Sequence, residues 1–141
     1  VGRPFTTAQR VVVTQVPPNG EAYRLQSVVR SQSTVRNGDT VRIAFYARSV
    51  ASSSTAAIDV AVQRTDTYDS FTYQRIALTS SWQHFVFEVS LPRPFGESGD
   101  WLANQLQVTW NFGVALQTVD LADITWTNIT SGIDPHAIPD Q

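Results

Sequence analysis

Apolar residues recur at every second position through most of this chain. Val41, Ile43, Phe45 and Ala47 alternate with Arg42, Ala44, Tyr46 and Arg48. Ile58, Val60 and Val62 alternate with Asp59, Ala61 and Gln63, and Phe85, Phe87, Val89 and Leu91 alternate with Val86, Glu88 and Ser90. A period of two sends successive side chains to opposite faces of a strand, so each segment has one face for a core. Leu106, Val108, Trp110 and Phe112 make the apolar face of another strand, and Gln107, Thr109 and Asn111 make its opposite face. Solvent-facing strands usually carry charges. This one carries amides, which both donate and accept and so suit a partner rich in hydroxyl groups.

The remaining segments extend the pattern. Phe5, Val11–Val13 and Val16 read as a strand closed by Pro17-Pro18-Asn19-Gly20. Residues 22–30 read as a strand with Tyr23, Leu25 and Val29 on one face and Arg24, Gln26, Val28 and Arg30 on the other. Residues 71–78 and 117–129 complete the set. Turn clusters separate them: Asn37-Gly38-Asp39, the polar 51–55 loop, Thr65–Ser70 with Tyr68, and a long Pro- and Gly-bearing loop from Pro92 that ends at Trp101. No segment keeps a 3.6-residue period over helical length. The pattern predicts an all-β sandwich of two antiparallel sheets and about eight strands. The sandwich is expected over 1–131, with 132–141 as a C-terminal tail or linker.

The 141 residues suffice for one buried core, and the chain reads as one domain of a longer protein. A net charge of −2 without any basic run argues against nucleic acid. No apolar run approaches the roughly 20 residues of a membrane-spanning helix. Cysteine is absent, and all ten basic residues are arginine, so thiolate and lysine nucleophiles are excluded. His84 and His136 are the only histidines, and no nucleophile elbow, zinc-protease motif or phosphate loop occurs. Asp59 with Glu88 or Asp120 would have to act from different sheets, so a glycosidase pair is not expected. Trp82, Trp110 and Trp126 sit in strand patterns and read as core or edge. Asn128-Ile129-Thr130 matches a glycosylation triplet by pattern alone.

Several segments resemble a known family in order and spacing. Asn37–Arg48, the Trp-led Ser81–Phe87, and Gln107–Gly113 followed by Gln117–Ile124 are similar to segments of carbohydrate-binding modules of the family 4, 9 and 22 type. Gly2–Thr6 and Tyr23–Gln26 also resemble modules that precede family 10 xylanase-like catalytic domains. The resemblance implies a jelly roll whose second, fourth, fifth and seventh strands share a concave sheet that binds polysaccharide in a groove. The outward face of that sheet would collect Arg24, Gln26, Arg30, Asp59 and Gln63 with Gln107, Thr109 and Asn111, joined by Tyr73 or Arg75. Gln107 and Asn111 match a pair of groove amides four residues apart, Tyr68 matches a loop tyrosine, and Trp101 is a further ligand candidate. Several arginines on this face are more than a neutral glucan needs and suit uronate-bearing chains.

The resemblance also offers a structural calcium, which needs six or more oxygen ligands. Ala122 stands where the first of two expected acids would be, and only Asp123 remains, so no cofactor is expected. The partners implied are a polysaccharide chain and a catalytic glycoside hydrolase domain of the same polypeptide, in a secreted protein. Two functions are open at this point. One is a non-catalytic module holding an attached enzyme on xylan or another β-glycan. The other is a structural spacer or docking domain without sugar affinity.

Overall fold

The computed structural model describes residues 8–50 and 56–130. Phe5 and the Gly2–Thr6 segment, the 51–55 loop, and the 132–141 tail with His136 lie outside the described residues. The alternating segments form β1 (Gln9–Val13), β2 (Gln26–Arg30), β3 (Thr40–Val50), β4 (Ala57–Arg64), β5 (Ser70–Ala77), β6 (Gln83–Ser90), β7 (Leu106–Asn111) and β8 (Gln117–Asn128). They make two antiparallel sheets in the orders β1-β8-β3-β6 and β2-β7-β4-β5. The second, fourth, fifth and seventh strands thus share one sheet, as a jelly-roll sandwich requires.

The inward faces meet as the alternation predicts. Phe45 on β3 stacks on Phe85 at 5.5 Å and meets Trp110 of the opposite sheet edge-on at 5.5 Å. Ile43, Phe45, Ile58, Val108, Trp110, Leu121 and Trp126 are all at most 1% exposed. Burying a ring of phenylalanine size is worth roughly 2–3 kcal/mol, and this shared core holds the sheets face to face. On the outside of the first sheet, Asp120 takes one arginine from each neighbouring strand, Arg10 at 2.7 Å and Arg48 at 2.9 Å. Tyr46 lies on this face too, stacked on His84 across the β3–β6 pair. Asn128 is committed to structure, because its buried amide donates to Asp39 at 2.7 Å.

Trp101 corrects the sequence reading. It is a ligand candidate at the end of a polar loop by sequence, yet it is 1% exposed. Its indole N–H donates to the Leu91 carbonyl at 2.7 Å, and its backbone pairs with Val35. The Arg93 guanidinium lies 3.7 Å from the ring centroid and that of Arg64 5.2 Å away. Glu97 accepts from both arginines. A ring enclosed in this way offers no face to a ligand. It anchors the 92–105 loop against the end of β4.

Gln117 ties the two sheets together at one end of the sandwich. It stands on β8, is 3% exposed, and substitutes for a missing strand neighbour. Its Oε1 accepts from the Ala57 N–H (3.0 Å), while its Nε2 donates to the carbonyls of Ala57 (2.7 Å) and Phe112 (2.9 Å). Replacement by leucine, similar in size but unable to bond, leaves three buried backbone groups short of a partner. Gln117→Leu is expected to lower stability by about 3 kcal/mol, read as a lower urea midpoint at unchanged slope.

Candidate functional site

Register decides which side chains meet on the outer face of the β2-β7-β4-β5 sheet. Gln26, Asn111, Asp59 and Arg75 stand opposite one another in one row across the four strands. Arg30, Gln107, Gln63 and Ser70 form a second row. Between them run Val28, Thr109, Ala61 and Tyr73. Alternate residues on a strand are about 7 Å apart, and neighbouring strands about 5 Å apart. The short side chains of Thr109 and Ala61 in the middle row leave a trough between two polar rows. The result is a groove of about 460 Å³ bordered by Gln26, Gln63, Gln107, Asn111 and three tyrosines, Tyr23, Tyr68 and Tyr73. That volume falls in the range of ordinary ligand sites.

The tyrosines are each more than half exposed. Tyr23 rides on a 3-10 turn, Ala22–Arg24, closed by bonds from the Arg24 N–H to the Glu21 carbonyl and from the Leu25 N–H to the Ala22 carbonyl. The strand expected over 22–30 therefore begins only at Gln26. The turn resets the alternation, so Tyr23 points into the groove instead of the core. It packs so closely on Gly113 that a side-chain carbon there would lie 2.9 Å from the Ala22 carbonyl oxygen and from Pro17 Cδ. The Tyr23 hydroxyl donates to Glu21 at 2.6 Å, and Arg24 donates to the other oxygen of Glu21 at 3.0 Å. Arg24 is thus corrected as a groove residue. Its side chain borders a separate hollow with Val12, Pro17 and Pro18.

Tyr68 sits in the β4–β5 turn at a φ of +62°. A non-glycine residue in that region costs on the order of 1–3 kcal/mol, and such strain is commonest at functional sites. Bonds from the Tyr68 N–H to the Arg64 carbonyl (3.1 Å) and from the Arg64 N–H to the Asp69 carbonyl (3.0 Å) hold the turn. Arg64 itself is pinned by Asp66 and Glu97, so the Trp101 anchor and the Tyr68 turn share a support.

Tyr73 is held by an acid beneath the groove. Its hydroxyl donates to Asp59 Oδ2 at 2.7 Å. Arg75 grips the same carboxylate with two bonds of 2.7 and 3.0 Å. Asp59 is 1% exposed. Burial alone would push its carboxyl up. The bonds from Arg75 and Tyr73 and the charge of Arg75 outweigh that and hold it below the ordinary carboxylate value. Burial, then the Asp59 carboxylate, raises the Tyr73 phenol, so its proton stays in place as the donor.

The amides supply the polar floor. Gln107 Nε2 donates to Gln63 Oε1 at 2.9 Å. Gln107 and Asn111 are 3% and 2% exposed, far more buried than a solvated strand face would be. Asn111 Oδ1 has no hydrogen-bond partner, and neither has Thr109 Oγ1. An unpaired buried polar group costs about 1–3 kcal/mol, and a hydroxyl donor from a ligand would satisfy Asn111. Such an arrangement can hold a flat, hydroxyl-rich ring, with amides bonding its edge and tyrosine faces covering its apolar side.

Of the predicted residues, Gln26, Gln63, Tyr68, Gln107 and Asn111 come together around the groove. Arg30 is the register partner of Gln107 on the same face but is not among the residues bordering the groove, while Arg24 and Trp101 lie elsewhere. Tyr23 was expected inward. The polar pair Glu21 and Arg24 around it, which breaks the clean alternation seen elsewhere, was the available signal. Asp123, the carboxylate left for a calcium, belongs to the other sheet. No group of three or more His, Cys, Asp or Glu side chains converges among the described residues.

The Asp59 fork yields a prediction. In Arg75→Gln, Asp59 keeps only Tyr73 and stands as a nearly uncompensated buried charge. Stability at pH 7 is expected to fall by about 2 kcal/mol, less than for a fully buried pair because Arg75 is partly solvated. The wild-type fork depresses the Asp59 carboxyl, so its stabilisation is present at neutral pH and is lost as pH falls through the folded-state value. The gap between wild type and variant should therefore narrow in urea titrations as pH falls towards 3. A pH-independent gap would refute this account.

A family model described as "Carbohydrate binding domain" matches residues 6–112. Among solved structures, one similar fold is a family 4 carbohydrate-binding module (CBM4), with TM-score 0.66 and 19% identity over 84% of this chain and 69% of that one. Another is the apo carbohydrate-binding module of PbXyn10C, with TM-score 0.58 and 14% identity over 98% of this chain and 76% of that one. A third is the N-terminal cellulose-binding domain of Cellulomonas fimi β-1,4-glucanase C, with TM-score 0.55 and 18% identity over 87% of this chain and 79% of that one. At these identities the likeness is one of fold. No curated protein matches the chain. With the family match covering most of the sandwich and the grooved jelly roll agreeing with it, this chain belongs to the carbohydrate-binding domain family, a family of non-catalytic modules.

Proposed function

We propose that the groove binds a β-linked polysaccharide chain, xylan or another β-glycan, and keeps an attached glycoside hydrolase on it outside the cell. The observation that carries this reading is the buried, unpartnered Asn111 Oδ1 in a groove rimmed by three exposed tyrosines. A sugar ring has hydroxyls for the amides and a C–H face for the rings. Gln26, Gln63 and Gln107 are the further edge contacts, and Tyr23, Tyr68 and Tyr73 the stacking groups. No metal takes part, so chelation by EDTA leaves affinity unchanged. The similar PbXyn10C module and the glucanase C cellulose-binding domain support the choice of β-glycans and the linkage to an enzyme. Tethering would raise the local concentration of the catalytic domain at its substrate without adding chemistry.

The test is affinity electrophoresis of the domain on soluble polysaccharides, followed by calorimetry on each hit. A dissociation constant of about 10–1000 μM, or roughly −7 to −4 kcal/mol, is expected for at least one β-glycan. Tyr68→Ala and Asn111→Ala should each weaken it at least about tenfold, or 1.4 kcal/mol, with melting curves confirming a folded variant. Retardation by no glycan would overturn the reading and leave a spacer or docking domain. In the intact enzyme, deleting the module should slow hydrolysis of insoluble substrate and spare soluble substrate; equal loss on both would refute the tethering role.

A further inference from the structure

The groove face carries two arginines, and the structure treats them differently. Arg75 is bound by both oxygens of Asp59, and its charge is matched in place. Arg30 is exposed, and its side chain makes no hydrogen bond or ion pair among the described residues. By contrast, Arg10, Arg24, Arg42, Arg48, Arg64, Arg75 and Arg93 each hold a carboxylate. In a protein of net charge −2 so thoroughly paired, a cation left bare beside a binding groove stands out.

Its position is specific. Arg30 is opposite Gln107 in the β2–β7 register, on the same face, at the end of an edge strand. Tyr23 borders the groove at the other end of β2, Tyr73 on β5 and Tyr68 at the β4–β5 turn. No tyrosine stands on the remaining side, the β2 edge, where Arg30 is placed next to the groove residue Gln107 by the register. Gln107 turns its Nε2 away from Arg30, towards Gln63 on β4. This row therefore points its amide donor inward and leaves Arg30 as the donor at the β2 edge. A second, independent observation on the same face points to a ligand: Asn111 is 2% exposed with an unpartnered oxygen.

We infer that Arg30 forms an acidic subsite, which takes the carboxylate of a uronic acid carried by the glycan lying in the groove. The inference rests on the glycan-binding reading above and narrows its substrate class. A guanidinium presents two parallel N–H groups in the plane that a carboxylate needs, which a neutral side group cannot use. An exposed pairing of this kind contributes modestly and weakens with salt. It acts as a selector added to the neutral groove.

The experiment compares glucuronoxylan with the same polymer after chemical reduction of its carboxyl groups, so that backbone and length are constant. At low ionic strength, calorimetry on wild type should show about fivefold tighter binding to the acidic form, a preference that shrinks in 0.5 M salt. Arg30→Gln should bind both forms alike, at the affinity of wild type for the reduced polymer. Arg36→Gln, which removes an exposed charge in the turn before β3, should keep the fivefold ratio. Equal wild-type affinity for the two forms, a ratio that survives in Arg30→Gln, or binding confined to neutral glucans would overturn the acidic subsite and leave glycan binding intact. Failure of every polysaccharide to bind would instead bring down the groove reading itself.

Discussion

Strand β7 is buried on both faces, and that constraint shapes the rest of the molecule. One face supplies Val108 and Trp110 to the core; the other supplies Gln107, Thr109 and Asn111, each at most 3% exposed. A central strand flanked by β2 and β4 has its backbone groups paired. Its polar side chains have no such automatic partners. Gln63 crosses over to satisfy Gln107, whereas Asn111 Oδ1 stays unpaired. A fold maximising stability alone would place an apolar residue there, because swapping an unpaired buried polar group for an apolar one of similar shape is neutral or favourable. Retaining the amide is understandable if a ligand completes it. The groove then carries a standing cost of folding that binding relieves.

The same logic governs the rim. An exposed tyrosine free to rotate loses that freedom on binding, at roughly 0.5–1.5 kcal/mol for each side chain ordered. Here two of the three tyrosines are held beforehand by the same kind of device. Tyr23 donates to Glu21, which Arg24 grips; Tyr73 donates to Asp59, which Arg75 grips. In each case the phenol supplies the proton, the acid is fixed by an arginine, through one bond at Glu21 and two at Asp59, and the apolar face of the ring remains available. A chain without lysine is suited to this, since the planar guanidinium holds a carboxylate in a defined orientation. Arg24, although outside the groove, therefore acts on it through Glu21. Tyr68 is held by backbone conformation, and its left-handed φ is maintained by the Arg64–Asp66–Glu97 cluster next to Trp101.

How far the sequence revealed this depended on whether a residue lay inside a strand. Alternation alone placed Asp59 and Gln63 on the outward face of β4 and Gln107 and Asn111 on that of β7, because period two survives any error in strand ends. The partition of eight strands into two sheets came from the resemblance, and the register then brought Gln26 beside Asn111. Outside regular structure, Tyr68 reached the groove as the resemblance implied, whereas Tyr23, Arg24 and Trp101 did not lie where their patterns suggested. A single 3-10 turn reversed Tyr23 from inward to outward and removed Arg24 from the groove. Trp101 looked like a loop ligand, because its neighbours are polar and glycine-rich. Its burial depends on Arg64, about forty positions away in sequence, and on Arg93 and Glu97 folding back over the ring. Contacts of that kind have no periodic signature.

The two outer faces of the sandwich show how one architecture separates holding together from binding. On the β1-β8-β3-β6 sheet, Arg10 and Arg48 converge on Asp120 and Arg42 meets Glu88, so outward charge is consumed in cross-strand pairs. On the β2-β7-β4-β5 sheet the outward residues are mostly neutral amides and small side chains, and the one acid, Asp59, is itself buried and matched. Neutral donors and acceptors bind hydroxyls without the desolvation penalty that bare charges would bring. A groove of this kind is tolerant of which neutral sugar it holds, since every pyranose presents hydroxyls and a C–H face. Discrimination has to come from its borders. There the side chains differ, with three tyrosines around the groove and Arg30 next to Gln107 on the edge strand, so specificity can change by substitution at the rim while the buried floor, on which folding depends, stays the same.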